Sequence, residues 1–160
     1  MPAYKSFSAL MCAVGKKVDR ALKKEVAQEA AEELSKQTQA AVYDAYQPVL
    51  YERRGKRGGL LDKKNIAAHA AGGVLTVKNT ARPNRSLSVP PVPYAPPNDT
   101  QFGAWLERGE AANIFGVPPE RAPWLLPRPF VATAAAELRR TGKHLDALKR
   151  GLKRQGIPFK

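Results

Sequence analysis

The sequence predicts an α+β fold: a long N-terminal helix packed on a small antiparallel sheet, with two C-terminal helices. Three observations carry this prediction. Apolar residues recur at spacings of three and four from Tyr4 to Leu34. The period changes to alternation within Gly73–Asn79, where Leu75 and Val77 alternate with Thr76 and Lys78. Helical spacing then returns from Phe130 to Leu152. A chain of 160 residues supplies one domain, not two full cores. Its expected division is helix over 1–47, sheet over 48–89, an irregular excursion over 90–127 and helices over 128–160.

The first helix is expected from residue 3 to about Tyr46. Tyr4, Phe7, Met11, Val14 and Val18 begin its apolar stripe, and Leu22, Val26, Ala30 and Leu34 continue it. Glu32 and Lys36 form a favourable i,i+4 pair among good helix formers. Gly15 is the weak point, which either kinks the helix or is tolerated within a continuous one; the continuous form is favoured. Pro48 pushes Gln47 toward an extended conformation and stops the helix. The apolar run Ala9–Val14 is too short for a secretory core, and Lys16 and Lys17 replace a cleavage site.

Val49–Tyr51, Gly73–Asn79 and Leu87–Val89 are the strand candidates, with a basic, glycine-bearing loop at Arg53–Gly59. Such close spacing implies antiparallel pairing, since parallel crossovers need longer connections. Five of the eight residues from Pro90 to Pro97 are proline, which imposes an extended segment. Beyond it, Phe102, Trp105, Phe115 and Trp124 are too apolar for a solvated linker. They are candidate contacts with neighbouring subunits, and Trp124 suits a core position equally well.

Near the C-terminus, Pro129 suits a first helical position and Phe130, Ala134 and Leu138 form an apolar row. Thr141-Gly142 interrupts it. Leu145, Leu148 and Leu152 then mark a last helix ended by Gly156 in a left-handed cap, with Ile157 folding back toward Leu152 and Pro158 preventing continuation.

Charge narrows the function. Twenty-seven Lys and Arg against fourteen Asp and Glu give +13, most of it in residues 52–98 and 129–160. Such a surplus favours polyanionic partners. Arg53, Arg54, Lys56 and Arg57 in the loop, and Lys149, Arg150, Lys153 and Arg154 on the face of the last helix opposite its leucines, are the DNA-facing candidates. Each set also has a bland reading, as a solvated loop and as cations complementing a helix dipole. No stacking aromatics interleave with these charges, and no helix-turn-helix or zinc-finger pattern is present. The longest apolar runs fall well short of the roughly 18–20 residues of a membrane span, so no membrane partner is expected.

Catalytic chemistry finds no foothold. His69 and His144 stand apart from carboxylate or cysteine partners, and Cys12 is a lone thiol. Gly55–Gly59 lacks the Gly-Lys-Ser/Thr ending of a phosphate loop. The expectation is a chain without enzymatic activity, metal or cofactor.

Tyr51-Glu52-Arg53-Arg54, then Gly58-Gly59-Leu60-Leu61-Asp62 and Asn65-Ile66, then the strand from Val74, resemble the tail-completion or head–tail joining proteins of long-tailed bacteriophages. Arg128-Pro129-Phe130, opening a helix that runs toward a basic terminus, is similar to the end of the same family. The likeness covers about residues 15–80 and 125–157. It implies a non-catalytic virion component at the neck or tail, in a hexameric or twelve-fold ring around the DNA channel, with other neck and tail proteins as partners. It also implies residence in the host cytoplasm during assembly. Two other readings stand beside it: a non-specific double-stranded DNA-binding module outside the virion, and a small ribonuclease or toxin, which the missing acid/base set opposes.

Overall fold

A computed structural model describes residues 4–45, 54–82, 106–108 and 126–157. The expected strands at Val49–Tyr51 and Leu87–Val89, the proline-rich segment, Arg53, Phe102, Trp105, Phe115 and Trp124 lie outside these residues. The architecture is α+β: a long N-terminal helix, a two-stranded antiparallel sheet and two C-terminal helices. Packing divides it into two compact units. One comprises Met1–Glu33, Ala68–Val77 and Ala136–Lys160; the other comprises Leu34–Ala67 and Lys78–Ala135.

The long helix begins at Phe7, not at residue 3. Ser6 has extended backbone and its Oγ accepts the Ala9 amide at 3.1 Å, which satisfies one of the unpaired N–H groups of the first turn. The helix then runs continuously as α1 (Phe7–Ala21), a π-helical segment (Leu22–Val26), α2 (Ala27–Thr38) and a second π segment (Gln39–Asp44). Gly15 does not break it. The π segments were not expected, because the residues that build them are ordinary helix formers. At the first, the Ala27 amide reaches the Leu22 carbonyl five residues back.

In the first unit the core forms where the helix meets the sheet and the last helix. Strand β1 (Ile66–Ala71) and strand β2 (Val74–Asn79) form a hairpin through Gly72-Gly73. Leu22, Val26 and Ala147 are buried together, with Val18, Ala70, Leu75 and Leu148 packed against them. The segment Ala67–Ala71, which carries little strand propensity, is held in β1 by pairing with β2. Asp19 Oδ1 accepts the Gly73 amide at 2.8 Å and ties the hairpin tip to α1.

Helix α3 (Phe130–Thr141) and helix α4 (Lys143–Arg154) are separated by Gly142. The expected leucine stripe of α4 needs correction. Leu145 is 52% exposed, while Ala147 and Gly151 are buried beside Leu152. A Cβ on Gly151 would lie 2.8 Å from the Ala21 Cβ, so the helices approach through small residues, which bury little area but permit close contact. The end of α4 follows expectation. Gly156 has φ +75°, its amide reaches the Lys153 carbonyl at 3.0 Å, and the Ile157 amide reaches that of Leu152 at 3.1 Å. Both bonds of a Schellman ending are present.

In the second unit Phe130, Leu60 and Thr38 are fully buried. The Pro129 carbonyl accepts the Thr133 amide, placing Pro129 at the boundary of α3. Residues 106–108 are helical, and both carboxylate oxygens of Glu107 accept first-turn amides of α3, from Val131 and Ala132, each at 2.9 Å. Arg128 is buried and donates to the Val42 carbonyl. The Arg128-Pro129-Phe130 motif therefore closes the end of the long helix and starts the next one.

Candidate functional site: a cationic groove

The basic loop is a hydrogen-bonded structure, not the adaptable glycine loop its sequence suggests. Asp62 organises it. Its carboxylate caps the short 3₁₀ turn Lys63–Asn65, accepting the Lys64 amide at 3.0 Å and the Gly58 amide at 2.7 Å. Those two amides, together with the nearby Lys64 charge, hold the Asp62 carboxyl below its ordinary value against a smaller opposing effect of burial. Asn65 Nδ2 donates to the Gly59 carbonyl at 2.8 Å, and Asn79 Nδ2 donates to that of Leu60 at 2.7 Å. Gly59 leaves no room for a side chain, since a Cβ there would sit 2.5 Å from the Gly55 oxygen.

This scaffold sets the loop's cations against α2. Lys56, Leu61, Asp62, Lys63 and Lys64 form one wall of an open groove of about 560 Å³. Ser35, Lys36 and Gln39 form the other, from α2 and the start of the second π segment. Positions 35, 36 and 39 share a helix face because they are three and four residues apart. Four lysines thus contribute to the lining of the groove, with Asp62 the single acidic residue there among the described residues.

The candidates from sequence fare differently. Arg54 donates to the Arg82 carbonyl and serves the fold of the loop. Lys56 lines the groove, and Arg57 is exposed. On α4, Arg154 Nη1 lies 3.0 Å from Glu25 Oε1, and Arg150 Nη2 lies 3.5 Å from Glu29 Oε2. These arginines therefore flank the contact with the long helix and do not stand opposite the buried face of α4. Lys149 faces Asp146 at 3.8 Å, and Lys153 is exposed without an ion pair among the described residues. Lys36, Lys63 and Lys64 were missed. Nothing in linear spacing connects Lys63 and Lys64 with Lys36.

His69 is exposed on β1, and His144 Nδ1 lies 2.8 Å from the Leu138 carbonyl. Among the described residues no group of three His, Cys, Asp or Glu is placed to hold a metal, and no helix is long and apolar enough to cross a membrane.

A family model described as YomN matches residues 6–154, nearly the whole chain. The chain belongs to the YomN family. YomN is a Bacillus phage-derived family name, which makes this a phage-related protein. The YomN match includes the groove, the Asp62 scaffold and the Arg128-Pro129-Phe130 motif. Comparison with curated proteins and with solved structures returned no match.

Proposed function

We propose that the chain is a structural protein of the phage neck or tail. It joins or completes the tail at the head–tail interface as one subunit of a ring around the DNA channel. Membership of a phage-related family over residues 6–154 is the observation that carries this reading. The exposed apolar side chains support it. Phe7 is 76% and Met11 54% exposed on the first turns of α1, and Val74 is 65% exposed on the hairpin. A ring subunit presents two different surfaces to its neighbours, and such side chains suit those contacts. Phe102, Trp105, Phe115 and Trp124 are proposed for the same contacts.

Deletion of the gene from its phage tests this reading. Electron micrographs are expected to show DNA-filled heads and separate tails, with joined particles restored by expression in trans. Normal joined particles from the deletion strain would overturn it. The cationic groove favours a second reading, a non-specific double-stranded DNA-binding module acting outside the virion.

A further inference from the structure

We infer that the groove between α2 and the 3₁₀ turn is a phosphate-backbone site, in which Lys36, Lys56, Lys63 and Lys64 contact successive phosphodiesters of a nucleic acid without reading its sequence. This inference does not depend on placement in a virion ring. It assigns the contact to a defined side-chain set, three members of which lie outside the linear basic loop and the last helix.

Three features of the groove carry it. Among the described residues its lining charge is one-sided, and the single carboxylate, Asp62, is turned to internal use by the Gly58 and Lys64 amides. None of the four lysines is in a salt bridge with a described carboxylate. Its walls are held in place, one by helix geometry and the other by the Asp62, Asn65 and Asn79 hydrogen bonds. Lys63 and Lys64 come from one turn, so the backbone that carries them is fixed by these bonds.

The chemistry of the lining selects phosphate over an acidic peptide. Ammonium groups are compact point charges that bind phosphate oxygens without a fixed geometry, as contact with an irregular backbone requires. Among the described residues no arginine lines the groove, and Arg54 donates to the Arg82 carbonyl. Peptide docking also relies on apolar or aromatic anchors in pockets. Among the described residues Leu61 is the one large apolar side chain in the lining, and no aromatic ring is there to stack a base. Sequence-independent backbone contact fits that composition.

The test compares the full-length chain with two variants of equal charge change. The groove variant is Lys36→Gln, Lys56→Gln, Lys63→Gln and Lys64→Gln. The control is Lys5→Gln, Lys16→Gln, Lys23→Gln and Lys24→Gln, all at exposed positions outside the DNA-facing candidates. Binding to a labelled random-sequence DNA duplex is measured across a salt series, with tripolyphosphate and polyglutamate as competing probes. The groove variant is expected to bind at least about tenfold more weakly, with a salt slope shallower by about three to four, near 0.9 per lost phosphate contact. The control is expected to stay within about threefold. Equal losses in both variants would reduce the groove to general charge and overturn the assignment. Wild-type affinity in the groove variant would do the same. Polyglutamate binding to the groove as tightly as the duplex would indicate an acidic protein partner. Tripolyphosphate competing equally per phosphate would indicate a free polyphosphate. Either result overturns the nucleic-acid assignment. Should the fourfold variant lose its native circular dichroism, Lys63→Gln with Lys64→Gln decides the question at about half the slope change. Joining of heads to tails is scored separately in phage carrying each variant, so failure of the virion reading is not confused with failure of this one.

Discussion

Arg128 Nη1 donates to the carbonyl oxygen of Val42 at 3.2 Å, joining the residue before Pro129 to the last turn of the long helix. Val42 is buried, so water does not readily replace a lost hydrogen bond there. A charged donor strengthens the bond. Arg128→Met retains most of the apolar stem and removes the donor. It is expected to lower unfolding stability by about 1–3 kcal/mol in urea titrations. An unchanged midpoint would show that the Val42 carbonyl finds another partner.

Two helical glycines are expected to respond in opposite directions. Gly15 has open space around its missing Cβ, so Gly15→Ala is expected to stabilise the chain by about 0.5–1 kcal/mol through helix propensity. A Cβ on Gly151 would meet Glu25 Oε2 at 2.7 Å and the Ala21 Cβ at 2.8 Å. Gly151→Val is expected to cost about 1–3 kcal/mol by overpacking this contact. Thermal unfolding of the two variants side by side measures both effects.

Those glycines show what could be read from the sequence and what could not. Periodicity located the long helix, the Phe130–Ala134 row and both C-terminal helices, because each is a local pattern of large apolar side chains. The Gly156-Ile157 ending was equally legible, since its hydrogen bonds connect residues five or fewer apart. In α4 periodicity picked out Leu148 and Leu152, which pack, but also Leu145, which is exposed, and it passed over Ala147 and Gly151, because it weighs size and ignores close approach. Strand β1 was hidden because alanine-rich sequence becomes a strand only through its partner. The π segments carry no compositional mark. The groove was missed because Lys36 and Lys63 meet only after the chain has folded.

Acid should loosen the basic loop at a defined point. The Lys64 and Gly58 amides and the Lys64 charge hold the folded Asp62 carboxyl below its ordinary value near 3.8. A depressed folded pKa contributes stability that is fully present above the unfolded value and lost as pH falls through the folded one. Hydrogen-exchange protection of the Gly58 and Lys64 amides is therefore expected to hold from neutrality to about pH 4 and to decline below it. Asp62→Asn retains an acceptor oxygen without the charge. It is expected to weaken protection already at neutral pH and to remove the acid-dependent decline.

The hairpin tip separates backbone strain from hydrogen bonding. Gly72 and Gly73 have φ of +59° and +79°, the pairing required at both central positions of a type I′ turn. Beyond its chain neighbours, no described residue comes within 4 Å of either missing Cβ, so a substitution there meets conformational cost without steric collision. Asparagine tolerates the left-handed region at the first position, and Gly72→Asn is expected to change stability by less than about 0.5 kcal/mol. Gly73→Ala is expected to cost about 1–2 kcal/mol, because alanine has no local bond to offset the left-handed backbone. Asp19→Ala leaves both glycines intact and removes the acceptor of the Gly73 amide. If the turn is held mainly by its own backbone, Asp19→Ala should cost less than Gly73→Ala in urea unfolding. The reverse order would mean that the contact with α1, and not the turn, fixes the hairpin.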